Sequence, residues 1–265
     1  MAVWLINLFV AVTVLLSATA IFFFTLTRGA LLIRQILPGN LGDMAHVYPI
    51  YSNMRLIRMI DFQPIISAIL LFQYHRLVST IVHGMRKTDL RGKNVLITSC
   101  AFGNVIPRIV TTAIEGDAKQ VLIADICKNE LVHAERKLPD HAQKLKMLQE
   151  NAVSMKLPDG SVSANIIFFL LHELPHPLKG QALREATRVL VPGGKLFLAE
   201  FHRPEAWVMR ALSWTYFKVF EPFGLALWDT HDPLRILAET GGLTCERRTC
   251  FRGNFQVLIV NKNPD

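Results

Sequence analysis

The chain has 265 residues, a formal net charge of +8 and a pI near 9.5. This length holds one α/β domain of ordinary size and an additional segment, with enough residues to bury a real core. The positive charge predicts an acidic partner, for which a membrane surface and a nucleic acid are the usual candidates. The four cysteines form no C-x-x-C pair and lack zinc-like spacing, so we expect free thiols in a reducing compartment.

A charge-free segment near the N-terminus decides between those partners. The run "AVWLINLFVAVTVLLSATAIFFFTL", Ala2–Leu26, is long enough to cross a bilayer as a helix. A cleaved signal peptide is the alternative, with "ATA" at residues 18–20 as its cleavage site, but the positive n-region that it needs is missing. We therefore predict a retained single-pass anchor over residues 1–28, with membrane lipid as a partner.

The residues after the anchor predict its orientation. Arg28 and Arg34 follow the apolar run, and an excess of Lys and Arg marks the cytoplasmic side. The bulk of the protein is therefore expected on the cytoplasmic side of a bacterial inner membrane, or on the matrix side of the mitochondrial inner membrane.

Residues 29–90 are predicted to be a membrane-proximal helical connector, because they are neither Gly/Ser-rich nor of low complexity. Within it, "FQPIISAILLFQYHRLVSTIVHGMRK", Phe62–Lys87, is expected to be helical after Pro64 and too short in its apolar core to span a bilayer. Its cations favour a basic amphipathic helix in the membrane interface. The alternative is a helix that packs on the following domain, and both interpretations can hold for different faces.

From Asn94 onward strands and helices alternate, which predicts a mostly parallel sheet. The predicted strands are Val95–Thr98, Gln120–Asp125, Lys144–Gln149, Ile166–Leu171, Lys195–Glu200, Thr244–Arg248 and Phe255–Val260. The predicted helices between them are Ile106–Glu115, Lys128–Lys137 and Lys179–Leu190. The last two strands form a pair around the turn "RGN", so the final strand is expected to be antiparallel.

The loop after the first strand has the position of a nucleotide-binding turn but lacks G-x-G-x-x-G, so a dinucleotide pyrophosphate fits it poorly. Gly103 can take a positive φ and lets a ligand approach the backbone. Asp125 ends the second strand, where a ribose-binding carboxylate belongs, although it could also be a plain helix cap in "DICKNE". Together the two features favour an adenosine-type ligand without a pyrophosphate.

Four further motifs carry a family resemblance. "VLITSCAFGN", "ADI", "QENAVSMKLPDGSVSANIIFFLLHELP" and "RVLVPGGKLFLAEFHRP" resemble, in order and spacing, the motifs of class I S-adenosylmethionine-dependent methyltransferases, over roughly residues 90–260. "FFLLHELP", "AEFHRP" and "FEPFGLALW" are more narrowly similar to the rhodoquinone-biosynthesis relatives of that superfamily. The resemblance implies a Rossmann-like fold over residues 91–265. It also implies an enzyme that replaces a ubiquinone ring methoxy group with an amino group from S-adenosylmethionine, with Mn²⁺ assisting.

The resemblance also implies which residues bind the cofactor. They are Ser99, Cys100, Ala101, Gly103, Asp125, Asn151 and Leu171. Asp125 is expected to accept from the ribose hydroxyls and Asn151 to face the adenine amino group through its carbonyl oxygen. Leu171 and His172 are expected to border the methionine end of the cofactor.

The position of Ile97 departs from the family pattern, because methyltransferases usually carry an acid there, near the methionine amine of the cofactor. A nearby carboxylate favours the charged ammonium form of an amine. Loss of the acid would therefore help to keep that amine neutral and nucleophilic, as amino transfer requires. A degenerate loop is the alternative interpretation.

Polar side chains at the predicted strand ends are the candidates for chemistry. His172 and Glu173 follow the fourth strand and His202 follows the fifth, where a substrate should lie. His172 or Glu173 could remove an amine proton, while His202 could donate to a quinone carbonyl. The same three side chains are the candidate ligands for Mn²⁺, although their spacing alone identifies no metal site. Capping, turn or surface roles are the competing interpretations.

The segment near residues 205–232 is rich in aromatic residues and is predicted to be a helical lid. It either packs on the sheet as ordinary core or forms the apolar mouth for the tail of a lipophilic quinone. Glu221 is its polar residue most expected to face the site. Two other functions stay open, a methyltransferase of a quinone or other lipophilic substrate and a non-catalytic assembly protein with a degenerate cofactor site. A nucleic-acid partner is disfavoured, because no N-P-P-Y-type tetrad occurs.

Overall fold

The computed structural model describes residues 2–36 and 47–264. Its centre is a seven-stranded sheet in the order β3-β2-β1-β4-β5-β7-β6. The strands are β1 (Asn94–Thr98), β2 (Gln120–Asp125), β3 (Leu145–Gln149), β4 (Val162–Phe168), β5 (Leu190–Phe201), β6 (Leu243–Cys250) and β7 (Phe255–Lys262). Strands β1 to β5 pair in parallel, and β7 is antiparallel to both β5 and β6. The predicted fold class is therefore confirmed.

Helices cover both faces of the sheet and precede it. They are α1 (Ala2–Leu26), α2 (Arg28–Ile36), α3 (Met54–Ile60), α4 (Gln63–Ile69), α5 (Tyr74–Arg86), α6 (Val105–Glu115), α7 (Lys128–Arg136), α8 (His176–Arg188), α9 (Trp207–Phe220) and α10 (Pro233–Glu239). One core packs α5 and α6 against one face of the sheet, and the other packs α8 and α10 against the opposite face. Because β1 and β2 are buried on both faces, the sequence contains the continuous apolar runs expected of central parallel strands.

Two strands begin earlier than the sequence predicts. Strand β4 starts at Val162 rather than at Ile166, because its polar residues are satisfied inside the sheet. The Asn165 side chain, for example, accepts a 2.8 Å hydrogen bond from Thr98 Oγ1. Strand β5 starts at Leu190 rather than at Lys195 and so includes the "VPGG" segment.

The connector helix is broken, contrary to the single helix predicted after Pro64. Helices α4 and α5 meet at 95°. Leu71 and Phe72 lie between them with φ of 49° and 60°, a left-handed conformation that ends a helix. Helix α5 buries one face against the sheet, which confirms the packing alternative for that helix.

Helix α1 is the one helix among the described residues that is long and apolar enough to cross a membrane, over Val3–Thr25. Both a membrane anchor and a signal sequence have this composition. The end of α1 packs on α9, where the rings of Phe22 and Phe220 lie 5.3 Å apart. All four cysteines carry free thiols, as predicted.

Candidate active site

The loop after β1 is braced by α5. Ser99 and Gly103 have φ of 73° and 78°, so the chain turns tightly at both. A Cβ at Gly103 would lie 2.6 Å from the Tyr74 hydroxyl, so a larger residue there would have to displace that side chain. The Tyr74 hydroxyl itself accepts from the Val105 amide at 2.7 Å and donates to the Phe102 carbonyl.

Asp125 lies at the carboxyl end of β2 and ties two loops together. Its Oδ2 accepts from the Cys100 amide at 2.6 Å, and its Oδ1 accepts from the Cys127 amide at 2.7 Å. Burial raises the pKa of this carboxyl to about 6, although these hydrogen bonds act in the opposite direction. Asp125 therefore holds the loop in shape and also lines the opening beside it.

That opening, which we call the polar cleft, is a cavity of about 60 Å³ between the loops at the carboxyl ends of the parallel strands. Ser99, Cys100, Asp125 and Asn151, all predicted to bind a cofactor, line it. Ligands of open α/β sheets bind at this edge.

Glu130, which the sequence analysis missed, also lines the polar cleft. It is buried in the first turn of α7, and its Oε1 has no hydrogen-bond partner within the described part of the chain. Burial, with the nearby Asp125 carboxylate adding to it, raises the pKa of Glu130 to about 9. A buried carboxyl with an unused oxygen is costly unless a ligand satisfies it.

A much larger apolar cavity of about 500 Å³ adjoins the polar cleft. Its walls come from the end of α1, the 3₁₀ segment Pro49–Ser52, α4, the loop after β1 and α9. Ala101 lines this cavity rather than the cleft. Most of its lining is aliphatic or aromatic, as in pockets for lipophilic ligands.

The polar cleft and the apolar cavity share one wall, formed by Tyr51, Ser99, Cys100 and Glu173. The Tyr51 hydroxyl donates a hydrogen bond to Glu173 Oε1, and its ring stacks on Phe102 with centroids 5.8 Å apart. Two ligands, one in each space, would therefore meet at Glu173 and Tyr51.

His172 joins three carboxylates beside this wall. Its Nδ1 lies 3.1 Å from Glu200 Oε1, while its Nε2 lies 3.6 Å from Glu221 Oε2 and 3.8 Å from Glu173 Oε1. The structure thus brings together three of the four predicted catalytic side chains, His172, Glu173 and Glu221, and all three line the apolar cavity.

Opposing effects set the protonation of this cluster. Burial alone lowers the pKa of His172, but the surrounding carboxylates, with Glu200 foremost, outweigh it and raise that pKa to about 9. Burial raises the pKa of Glu173 to about 7, and it raises the pKa of Glu221 as well. At neutral pH the His172 side chain is therefore protonated and positively charged, while Glu173 is partly protonated and partly ionised.

Two buried charged side chains fix the turn that carries His172. Lys179 in α8 donates to the carbonyls of Leu171 and Leu174, the latter at 2.6 Å. Glu200 Oε2 accepts from the Leu171 amide at 2.8 Å. Leu171 is itself fully buried and lines neither cavity, so only its backbone contributes to the site.

His202, the fourth predicted catalytic residue, lies apart from the cluster. Its Nδ1 contacts the Gly253 carbonyl at 2.7 Å, and its Nε2 faces the Arg247 guanidinium at 3.3 Å. Within the described residues, no group of three or more His, Cys, Asp or Glu side chains is arranged to hold a metal ion. The donors proposed for Mn²⁺ therefore do not form a metal site as they stand.

Ile97 does not face either cavity. Its side chain is buried in the core beneath the loop after β1. The carboxylate usual at this position is thus replaced by core packing, and Glu173 is the acid on the shared wall.

The fold and the loop positions define a class I S-adenosylmethionine-dependent methyltransferase scaffold. A methyltransferase from Aquifex aeolicus has a similar structure, with a TM-score of 0.55 at 17% identity over 79% of this chain and 98% of that one. The YcgJ protein of Bacillus subtilis has a TM-score of 0.52 at 12% identity, over 72% of this chain and 99% of that one.

Sequence comparison narrows the class. Residues 60–242 match the model of the ubiE/COQ5 methyltransferase family, and the chain belongs to that family. It is 32% identical over 160 residues to the ubiquinone/menaquinone biosynthesis C-methyltransferase UbiE of Shewanella oneidensis, and equally so to that of Shewanella frigidimarina. Each alignment covers 59% of this chain and 59% of the relative, so the chain spans less than two thirds of their length.

Proposed function

We propose that the protein is a membrane-tethered enzyme that uses S-adenosylmethionine to replace a ring methoxy group of ubiquinone with an amino group. The observation that carries this proposal is the shared wall. A polar cleft in the cofactor position of the fold and an apolar cavity of about 500 Å³ meet at Glu173. Enzymes that join a polar donor to a lipophilic acceptor need these two spaces side by side.

The residues of the polar cleft fit the cofactor in their chemistry. Ser99 and Gly103 turn the loop, although Gly103 lines neither space, and we expect the ribose and adenine to lie where Asp125, Glu130 and Asn151 line the cleft. The cleft holds about 60 Å³, so we expect its walls to open when a molecule as large as S-adenosylmethionine binds. When bound, S-adenosylmethionine would supply an amino nitrogen, which is released as an aminoquinone only after its bond to the methionine Cα breaks, or in the alternative reaction a methyl group.

The cluster beside the shared wall supplies one proton acceptor and one proton donor. The ionised form of Glu173 accepts a proton at Oε2, because Oε1 already accepts from the Tyr51 hydroxyl. His172 stays protonated, because Glu200 pairs with its Nδ1 and thereby turns Nε2 toward the apolar cavity. That Nε2 proton is available to the methoxide that leaves as methanol, or to a quinone carbonyl. The described residues hold no group of three or more donors arranged for a metal ion, so we give Mn²⁺ no role in these two proton transfers.

Ile97 supports amino transfer over methyl transfer. The acid usual at this position would favour the ammonium form of the donor amine, and it is absent here because Ile97, buried in the core, takes its place. Glu173, with a pKa of about 7, replaces it as a group that can take up a proton.

The other parts of the chain have matching roles in this proposal. Residues 1–28 anchor the protein, with the fold on the cytoplasmic or matrix side as Arg28 and Arg34 predict. Residues 29–90 connect the anchor to the cofactor domain of residues 91–265 and also supply Tyr51 to the site. The segment near residues 205–232 covers the apolar cavity as a lid through α9.

An isotope experiment tests the reaction. The full chain in nanodiscs is incubated with ubiquinone and S-adenosylmethionine labelled with ¹⁵N at the amino group, and the quinones are analysed by mass spectrometry. We expect an aminoquinone that carries the label. An unlabelled aminoquinone, or a methylated quinone alone, would contradict amino transfer.

Methyl transfer to a quinone ring is the second candidate, favoured by the similarity to the UbiE C-methyltransferases. It predicts S-adenosylhomocysteine as a stoichiometric product in the same incubation. A non-catalytic assembly role predicts neither product, and calorimetric titration with S-adenosylmethionine would then detect no binding.

A further inference from the structure

We propose that α4 and α9 form a second membrane-contact surface, separate from the anchor, which opens the apolar cavity directly into the lipid. The proposed occupant of this surface is the headgroup and upper acyl region of an anionic bilayer. The contacts, exposure and charge of these two helices carry the inference.

The outer faces of both helices expose large apolar side chains. On and around α4 these are Phe62, Ile65, Ile69, Leu71 and Phe72, and on α9 they are Trp207, Val208, Leu212, Trp214 and Val219. Phe72 and Trp207 are each 77% exposed. Apolar patches of this kind on a folded surface mark contact with a partner or a membrane.

This surface is continuous with the mouth of the apolar cavity. Ile69, Leu71 and Leu212 are exposed and also line the cavity, so they form its rim. Phe22 at the end of α1 lines the same cavity and packs on Phe220 of α9. A bilayer that contains α1 therefore lies beside the rim.

The charge of the surrounding helices fits anionic lipid. Helices α3, α4, α5 and α9 contain no Asp or Glu, and their Lys and Arg residues other than Arg210 are exposed. The exposed cations on these helices and at the start of α2 are Arg28, Arg55, Arg58, Arg76, Arg86 and Lys218, of which Arg86 also lies 3.4 Å from Glu115. Asp61, between α3 and α4, is turned inward and bound by Lys137 at 2.7 Å. Cations near an anionic lipid surface are attracted to it, and each one adds to the binding.

The turn between α4 and α5 exposes Leu71 and Phe72 in an unfavourable backbone conformation. Leu71 and Phe72 are consecutive non-glycine residues in the left-handed region, which is unfavourable for L-residues with a side chain. The turn is closed by a 2.7 Å hydrogen bond from the Phe72 amide to the Ser67 carbonyl. Insertion of the Phe72 ring into lipid would offset part of this cost.

Fluorescence quenching by brominated lipid tests the surface in the full chain. Each variant has three of the four tryptophans replaced by Phe, so that either Trp207 or Trp4 remains as the only reporter. A matched control carries Lys119→Trp in a background without other tryptophans, because Lys119 is exposed at the amino edge of the sheet. Each variant is placed in nanodiscs of brominated phosphatidylcholine, with and without phosphatidylglycerol.

We expect Trp207 to lose at least half as much fluorescence as Trp4, with a larger loss when phosphatidylglycerol is present, and the control to stay unquenched. Quenching of Trp4 without quenching of Trp207 would overturn the surface and leave the anchor intact. The proposal would also be overturned if lipid does not quench Trp207 while aqueous acrylamide cannot reach it. In that case a protein partner or a second copy of the chain would cover the two helices. Absence of quenching at both positions would remove the anchor as well.

Discussion

The polar cleft and the apolar cavity meet at one wall but are built from different parts of the chain. The cleft is made by loops at the carboxyl ends of parallel strands, and hydrogen bonds such as those that Asp125 accepts from backbone amides fix its shape. The cavity is made largely by helices outside the sheet, including α1, α4 and α9, and its walls are apolar. The contrast indicates that the loops of the sheet shape the polar space, while helices outside the sheet shape the apolar one.

The largest expected effect separates turnover from binding. His172→Asn should lower kcat by about 10²–10⁴-fold, the usual contribution of a general acid, without changing cofactor affinity, because His172 lines only the apolar cavity. Steady-state kinetics and calorimetry measure the two quantities. His202→Asn is the matched control and should leave both unchanged, since His202 lines neither space. An equal loss in the two variants would refute the assignment.

The pH dependence of kcat sharpens the roles of the shared wall. Glu173 acts in its ionised form, so kcat should fall about tenfold per pH unit as the pH drops below its pKa of about 7. His172 acts in its protonated form, so kcat should fall again as the pH rises above about 9. The profile is therefore a bell between these values. Glu173→Gln should remove the acidic limb, and survival of that limb would assign it to another group.

A substitution that fills the apolar cavity should weaken only the binding of the quinone. Met209 lines the cavity, so Met209→Trp should raise KM for a long-tailed quinone by about tenfold, because overpacking costs about 1–3 kcal/mol. The KM for a quinone without a tail and the cofactor affinity should not change. Val208→Trp, at the exposed neighbouring position, is the control. A rise for both quinones would show that the tail does not occupy this space.

The smallest expected effect concerns the polar cleft alone. Glu130→Met should lower the affinity for S-adenosylmethionine by about fivefold, because it removes one hydrogen bond of about 0.5–1.5 kcal/mol. It should also raise thermal stability, since the raised pKa of Glu130 reports a buried polar group without enough partners. Calorimetry and melting curves measure both. Glu135→Met, exposed on the same helix, should do neither.

The sequence predicted the parallel core because its signals are local. The strand "QVLIAD" at Gln120–Asp125, for example, has a continuous apolar centre, "VLIA", and ends at the predicted residue. The start of β4 was missed because Ser163 and Asn165 are polar residues, and their hydrogen bonds to β1 form only in the folded sheet. The break after α4 was missed because the apolar pattern continues through Leu71 and Phe72 while the backbone does not.

The candidate site was predictable only where a motif places a residue at a strand end. His172 and Glu173 were found in this way, and they do lie together. His202 also follows a strand, but strand position does not fix the direction of a side chain, and this one faces Arg247. Tyr51 and Glu130 gave no sequence signal, because each acquires its role from packing between segments far apart in the chain.

The junction at Tyr51 separates two routes out of the molecule. An apolar product formed against Glu173 would lie beside Phe22 and the rim of α4, next to the proposed bilayer. A water-soluble remnant of the donor would lie instead among Asp125, Asn151 and Glu150, which line the polar cleft and not the apolar cavity. Each product would leave into the phase that dissolves it, and neither would need to pass the other.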